Sequence, residues 1–348
     1  MNTLSFGFNQ VLRNLAMPTL AVAATLGLGT VSTGPAFAQS GGSSSSSSSP
    51  AAAYTMTPIS SSLPGATVQA TGINNQGQVS GYLTIGRVQS AFRWDPNTGM
   101  ETFTSTIAGL RDAANVVYMA SAQGIDEDGA LAGSIFADTN SMISQGFLVS
   151  PSSTGDQVSP FMFSTSGETW INGIHNGLVV GVDTFSASTL GALWDEQTGT
   201  HYLYPVPSGA WSQAQAVNSY RQVVGAMDIG NNEMHPALWA RAKGSLEDTF
   251  TVLDLGTLGG TDGRANAIND GRRVVGWANT ALGAVHAFFW RDSMTDLGVL
   301  PGDMQSEALA LNRFDQVVGY SAWYSELVSQ RAFLWDSVQG MQDLNTLV

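Results

Sequence analysis

A unit of 43 to 52 residues recurs six times in this chain, and its clearest copy runs from Asp254 to Trp290. Each copy opens on a short apolar segment and passes through a turn holding Asn or Asp and usually Gly. It then returns along a second apolar segment that ends in Gly. In the fifth copy these pieces are Ala267-Ile268-Asn269-Asp270-Gly271 and Val274-Val275-Gly276. The pattern repeats at Gly72-Ile73-Asn74, Gly124-Ile125-Asp126, Ala216-Val217-Asn218 and Ala310-Leu311-Asn312. At Gly173-Ile174-His175 the turn is one residue shorter. The closing glycines are Gly81, Gly133, Gly181, Gly225, Gly276 and Gly319.

A third apolar segment follows each glycine and ends on Trp94, Trp194, Trp239, Trp290 or Trp335; the second copy has Val149 at that place. A turn such as Asp195-Glu196-Gln197-Thr198-Gly199 leads to a fourth segment of the type Met294-Thr295-Asp296-Leu297-Gly298. Four short segments rich in β-branched and aromatic residues, separated by Gly, Asn and Asp, read as four strands joined by tight turns, an antiparallel meander. One such sheet cannot bury both faces, whereas stacked copies can. Four strands per unit at this period predict an all-β chain, a six-bladed β-propeller of four-stranded antiparallel blades over residues 54–348. A β-sandwich or open β-solenoid is the alternative. A segment of the fourth-strand type occurs seven times, counting Tyr54–Ile59 and Met341–Leu344, so the two ends are expected to meet at one blade and one of them to supply an outer strand.

The sequence resembles the HAF repeat family of extracellular repeat proteins. The resemblance rests on His286-Ala287-Phe288-Phe289-Trp290, on Asp254-Leu255-Gly256-Thr257-Leu258-Gly259-Gly260, and on Ala267-Ile268-Asn269 with Val274-Val275-Gly276. It is sharpest in copies five and six and degenerate in copies one to three. It implies export and a repeat fold, and it brings no activity. Trp94-Asp95, Trp194-Asp195 and Trp335-Asp336 lack the Gly-His partner of a WD40 blade.

Residues 1–38 read as a signal peptide: Arg13, an apolar run of small residues from Leu15 to Val31, and Ala36-Phe37-Ala38 as the small-x-small cleavage pattern. Pro18 and several glycines make that run a poor membrane span. Residues 39–53, with serine from 43 to 49, read as a flexible tether. The chain has no cysteine, so stability rests on packing rather than disulfides, and no thiol follows the signal for lipid attachment. These features predict an exported protein, extracellular or periplasmic, with no membrane insertion once mature. The formal charge is −14, with 27 acidic residues against 13 basic ones, which disfavours nucleic acid and anionic surfaces as partners. A monomer is expected.

The sequence specifies no catalytic set, metal site or cofactor motif. His175 and His201 lie in or beside turns, and His235 and His286 precede equivalent strands one unit apart, too far to converge on a metal. Asp126-Glu127-Asp128-Gly129 has the start of a calcium loop, but Ala137 stands where the terminal acid belongs, so a β-turn is expected. Gly256, Gly259, Gly260 and Gly263 lack the Lys-Ser/Thr ending of a phosphate loop and fall where one unit turns into the next. The in-phase tryptophans are expected to wedge between sheets. Trp211, Trp277, Trp323, Tyr320 and Tyr324 are out of that phase. Loops between strands two and three share a face with those leading to the next unit, and they vary most. Any ligand site is therefore placed there, on Asp262, Arg264, Asp303, Glu307, Trp277, Trp323 and Tyr324. The expected function is an exported binding module for an extracellular protein or glycan. The alternatives are a glycan lyase or hydrolase working in a central channel and a purely structural surface protein.

Overall fold

The computed structural model describes residues 57–347 apart from residues 60, 62, 104–117, 138–143, 154, 166, 186–187, 208, 232, 243–248 and 324–329. The expected signal, the tether and Tyr324 lie outside the described residues. What is described is all-β, with 24 strands and a short 3-10 turn at Leu344–Thr346. The described residues of 67–102, 118–161, 168–203, 212–254, 259–298 and 305–343 supply four strands each, forming four-stranded antiparallel meanders in sequence order. A single parallel bridge between Gln89 and Met119 joins the first two into one eight-stranded sheet. The first strands of successive meanders pack side by side along the series.

A local arrangement repeated in every sheet accompanies the closing glycine. The first strand carries a one-residue bulge at Thr71, Gln123, Asn172, Gln215, Asn266 and Leu309. Two residues before the bulge, a first-strand carbonyl lies against the glycine. A Cβ there would stand 1.9 Å from the Arg264 oxygen at Gly276, 2.0 Å from Gln69 at Gly81 and 2.0 Å from Glu307 at Gly319. In four sheets the third-strand phenylalanine opposite the glycine, Phe92, Phe147, Phe288 or Phe333, is fully buried.

The turn between strands one and two spans three residues in five sheets, the last of them left-handed. That residue is Gly77, Gly129, Arg221, Arg272 or Asp315. In the fifth copy it is Arg272, and not its neighbour Gly271, that takes the positive φ. The third sheet has instead the two-residue turn Asn176-Gly177, φ 49° and 73°, the Asn-Gly hairpin type.

Seams between sheets are apolar with polar staples. The fourth and fifth sheets share a cluster of Val224, Leu238, Leu255, Ala265, Val274, Phe288 and Trp290, and the fifth and sixth share Val275, Phe289, Leu297, Val317 and Phe333. Bulge residues donate across the seam, Thr71 to the Ala122 carbonyl (2.6 Å), Asn172 to Ala214 (2.7 Å) and Asn266 to Ala308 (2.9 Å). Turn asparagines do the same, Asn74 to the Asp126 carbonyl, Asn218 to Asn269 and Asn269 to Asn312.

The in-phase tryptophans do sit at these seams, but unequally. Trp239 and Trp290 are buried, and Trp94, Trp194 and Trp335 only half so. Trp194 meets Phe161 of the preceding sheet edge-on, and Trp335 lies against Phe289. Thr57-Pro58-Ile59 is in no strand. Ile59 packs instead on Ala70, Val79 and Phe92 of the first sheet, and Gly340–Asp343 supplies the outer strand of the sixth.

Candidate functional site

Antiparallel order puts the strand one–two and three–four turns on one face. The two–three loops and the links between sheets lie on the other, the loop face. The residues singled out in the sequence lie near the loop face at the fifth and sixth sheets, and the structure brings only some together. Arg264, in the first strand of the fifth sheet (Gly259–Ile268), reaches Glu307 in the first strand of the sixth (Gln305–Leu311), Nη2 to Oε1 at 3.1 Å. Asn266, exposed to the seam by the bulge, donates to the same Oε1 at 2.8 Å and accepts from Arg264 Nε at 2.9 Å. The Tyr320 hydroxyl donates to Glu307 Oε2 at 2.8 Å. Burial first, and the Glu307 charge beside it, push the Tyr320 phenol well above its ordinary range. Glu307 thus accepts three hydrogen bonds, from a phenol, an amide and a guanidinium. This arrangement ties the first strands of the fifth and sixth sheets together across their seam and leaves both Glu307 oxygens engaged.

Trp277 pairs directly with Arg264 in the register of the fifth sheet, so the half-buried indole and the guanidinium leave the sheet on the same side. Asp262 and Asp303 do not join the cluster. Asp262 accepts from the Met234 N–H of the fourth sheet (3.2 Å), and Asp303 pairs with Arg331 (2.8 Å), which also reaches Asp343 (3.2 Å). Trp323, in the loop after the second strand of the sixth sheet, is 61% exposed. Sequence reasoning missed Asn266, because only the bulge turns that position outward.

The remaining candidates resolve as structural. Asp126 is buried, and its carboxylate accepts the backbone N–H groups of Glu127, Asn176 and Gly177 at 2.6 to 2.8 Å. The segment is a β-turn closed by the Gly129 N–H on the Asp126 carbonyl. His235 and His286 each hold the aspartate of a fourth strand, Asp254 and Asp296, through Nδ1 at 2.9 Å. Those aspartates also accept the Gly256 and Gly298 N–H groups two residues on. The His-Ala-Phe and Asp-Leu-Gly motifs are two halves of one staple, and Arg331 with Asp343 makes it again in the sixth sheet. Gly259, Gly260 and Gly263 lie within the first strand of the fifth sheet rather than in a connecting turn. Among the described residues, no three His, Asp or Glu side chains are grouped to hold a metal, and no helix is long and apolar enough to cross a membrane.

No protein-family model matches the sequence, and no curated protein matches it. Several solved structures are similar in backbone. TolB from Acinetobacter baumannii is 10% identical, with 77% of this chain and 63% of that one covered and a TM-score of 0.46. The acylaminoacyl peptidase of Pyrococcus horikoshii is 11% identical over 80% of this chain and 46% of its own, TM-score 0.45. The β-propeller domain of the Trilobed protease from Pyrococcus furiosus, described as having an open velcro topology, is 12% identical over 80% and 95%, TM-score 0.36. The chain thus spans less than two thirds of the length of the first two.

Proposed function

We propose that this chain is an exported six-bladed β-propeller, a repeat protein of the HAF kind, that binds an extracellular protein or glycan through its loop face. The observation that carries the reading is where large apolar side chains meet solvent. Among the described residues, seven large exposed apolar side chains stand at the loop face, Leu282 (97% exposed), Tyr204 (64%), Trp323 (61%), Met304 (53%), Ile85, Val88 and Met162, against three in the tight turns opposite, Tyr220, Phe314 and Val338. Exposed apolar groups gathered on variable loops above rigid sheets are the ordinary make-up of a binding surface. The Arg264–Glu307–Tyr320 cluster beneath them supplies fixed charge and hydrogen-bonding groups.

The test is an array of glycans and extracellular protein fragments probed with the protein and with a Trp323→Ala/Leu282→Ser variant. A ligand bound by the first and lost by the second supports the loop face. A ligand held equally by both removes it.

A further inference from the structure

On the opposite face, among the tight turns, a cavity of about 840 Å3 opens between the second and third sheets. It coincides with two departures from the repeat. The third sheet has the two-residue turn Asn176-Gly177 where the others have three residues, so this turn ends closer to its strands and leaves the space beside it open. The second sheet has Val149 where five others have tryptophan, and Val149 lines the cavity. The half-buried Leu148, Ile174 and Trp194 also line it.

Two kinds of acid border this apolar strip. Asp126 is engaged by backbone N–H groups, and Asp195 by the Arg221 guanidinium and by Thr198. Asp128 and Glu196, both exposed, meet no cation among the described residues; Asp128 accepts only the Ala130 N–H, through one oxygen. A groove with an apolar wall and two uncommitted carboxylates at its mouth, on a chain of formal charge −14, suits a side chain with a long methylene stem and a positive head. We propose that this cavity docks a lysine- or arginine-bearing segment of a partner protein, at a second interface separate from the loop face. The stem lies along Leu148, Ile174 and Trp194, and the head sits between Asp128 and Glu196.

The probe is a fluorescent peptide of alternating leucine and lysine, titrated into the full chain at low salt and followed by anisotropy. The Asp128→Asn/Glu196→Gln variant is expected to weaken binding roughly tenfold, the loss of two partly screened ion pairs. An Asp292→Asn/Asp336→Asn variant removes the same charge from the same face at the fifth and sixth sheets, away from the cavity lining, and is expected to leave affinity unchanged. The uncharged leucine–glutamine peptide, which also lacks the long methylene stem, is expected not to bind. Equal weakening by both variants would reveal general charge attraction and overturn the proposal. Binding of the glutamine peptide, or none of the lysine peptide, overturns it as well.

Discussion

At the scale of single residues, two positions that look equivalent in the sequence are separated by their surroundings. Trp239 is wholly buried and donates its indole N–H to the Tyr204 carbonyl at 2.8 Å, whereas Trp335 keeps part of its ring in solvent. Trp239→Ala should therefore cost about 3–5 kcal/mol and Trp335→Ala distinctly less, as read from denaturant midpoints. Equal losses would show that the repeat position, not burial, sets the cost. Gly276→Ala is the sharper case: its Cβ would meet the Arg264 carbonyl at 1.9 Å, and backbone cannot step aside as a side chain can. A loss of about 3 kcal/mol or more is expected, larger than ordinary overpacking. The glycine at that place was legible in the sequence as a mark of periodicity. Its cause was not, because it lies in a carbonyl on the neighbouring strand. The same limit explains the candidate site. Arg264 and Glu307 could be placed by phase, but their meeting through Asn266 depends on the bulge. Asp262 and Asp303 are claimed by Met234 and Arg331 from outside their own copies or strands.

At the scale of strands and turns, the Asp-Leu-Gly and His-Ala-Phe motifs could be read as strand markers, while their pairing needed the third and fourth strands side by side. Burial works against the Asp254 charge. The hydrogen bond from His235, the Gly256 N–H and the His235 charge outweigh it, holding the carboxyl below its ordinary 3.8. A carboxyl depressed in the fold contributes stability that is fully present above pH 3.8, and that is lost as pH falls through the folded-state value. Asp254→Asn should lower stability at neutral pH and flatten its decline on the acid limb, followed by thermal melts from pH 7 downward. An unchanged acid limb would mean the staple carries no linkage. The turn staples differ in reach. Asn269 caps its own turn and also donates to Asn312 and Asp315 of the sixth sheet, whereas the Asn312 amide donates to Gln316 within its own turn. Asn269→Ala is expected to exceed Asn312→Ala by about 0.5–1.5 kcal/mol, the net worth of a hydrogen bond across the seam. Melts that match for the two variants would count against the ladder.

At the scale of the whole molecule, the six units and their four-stranded make-up were legible because hydrophobic period and turn residues are local properties. How the last sheet relates to the first was not, because no repeat encodes its own end. The structure shows the series changing there. The sixth bulge residue is Leu309, which has no side-chain donor to offer a neighbour, and the ladder of turn asparagines stops at Asn312. The second-strand position that faces the following sheet is fully buried at Val180, Val224 and Val275, and only half-buried at Val318. A charge placed at this position measures how well each seam excludes water. An isolated carboxylate in a sealed apolar seam costs several kcal/mol, enough to cancel the stability of an ordinary domain, while one that reaches solvent stays hydrated at little cost. Val275→Asp should therefore abolish the cooperative melt, and Val318→Asp should leave a folded protein with a lowered midpoint. If Val318→Asp proves as damaging as Val275→Asp, the sixth sheet is sealed as tightly as the fifth and the ring is closed by packing alone. If it is harmless, the sixth sheet ends an open series, and the propeller reading gives way to a solenoid.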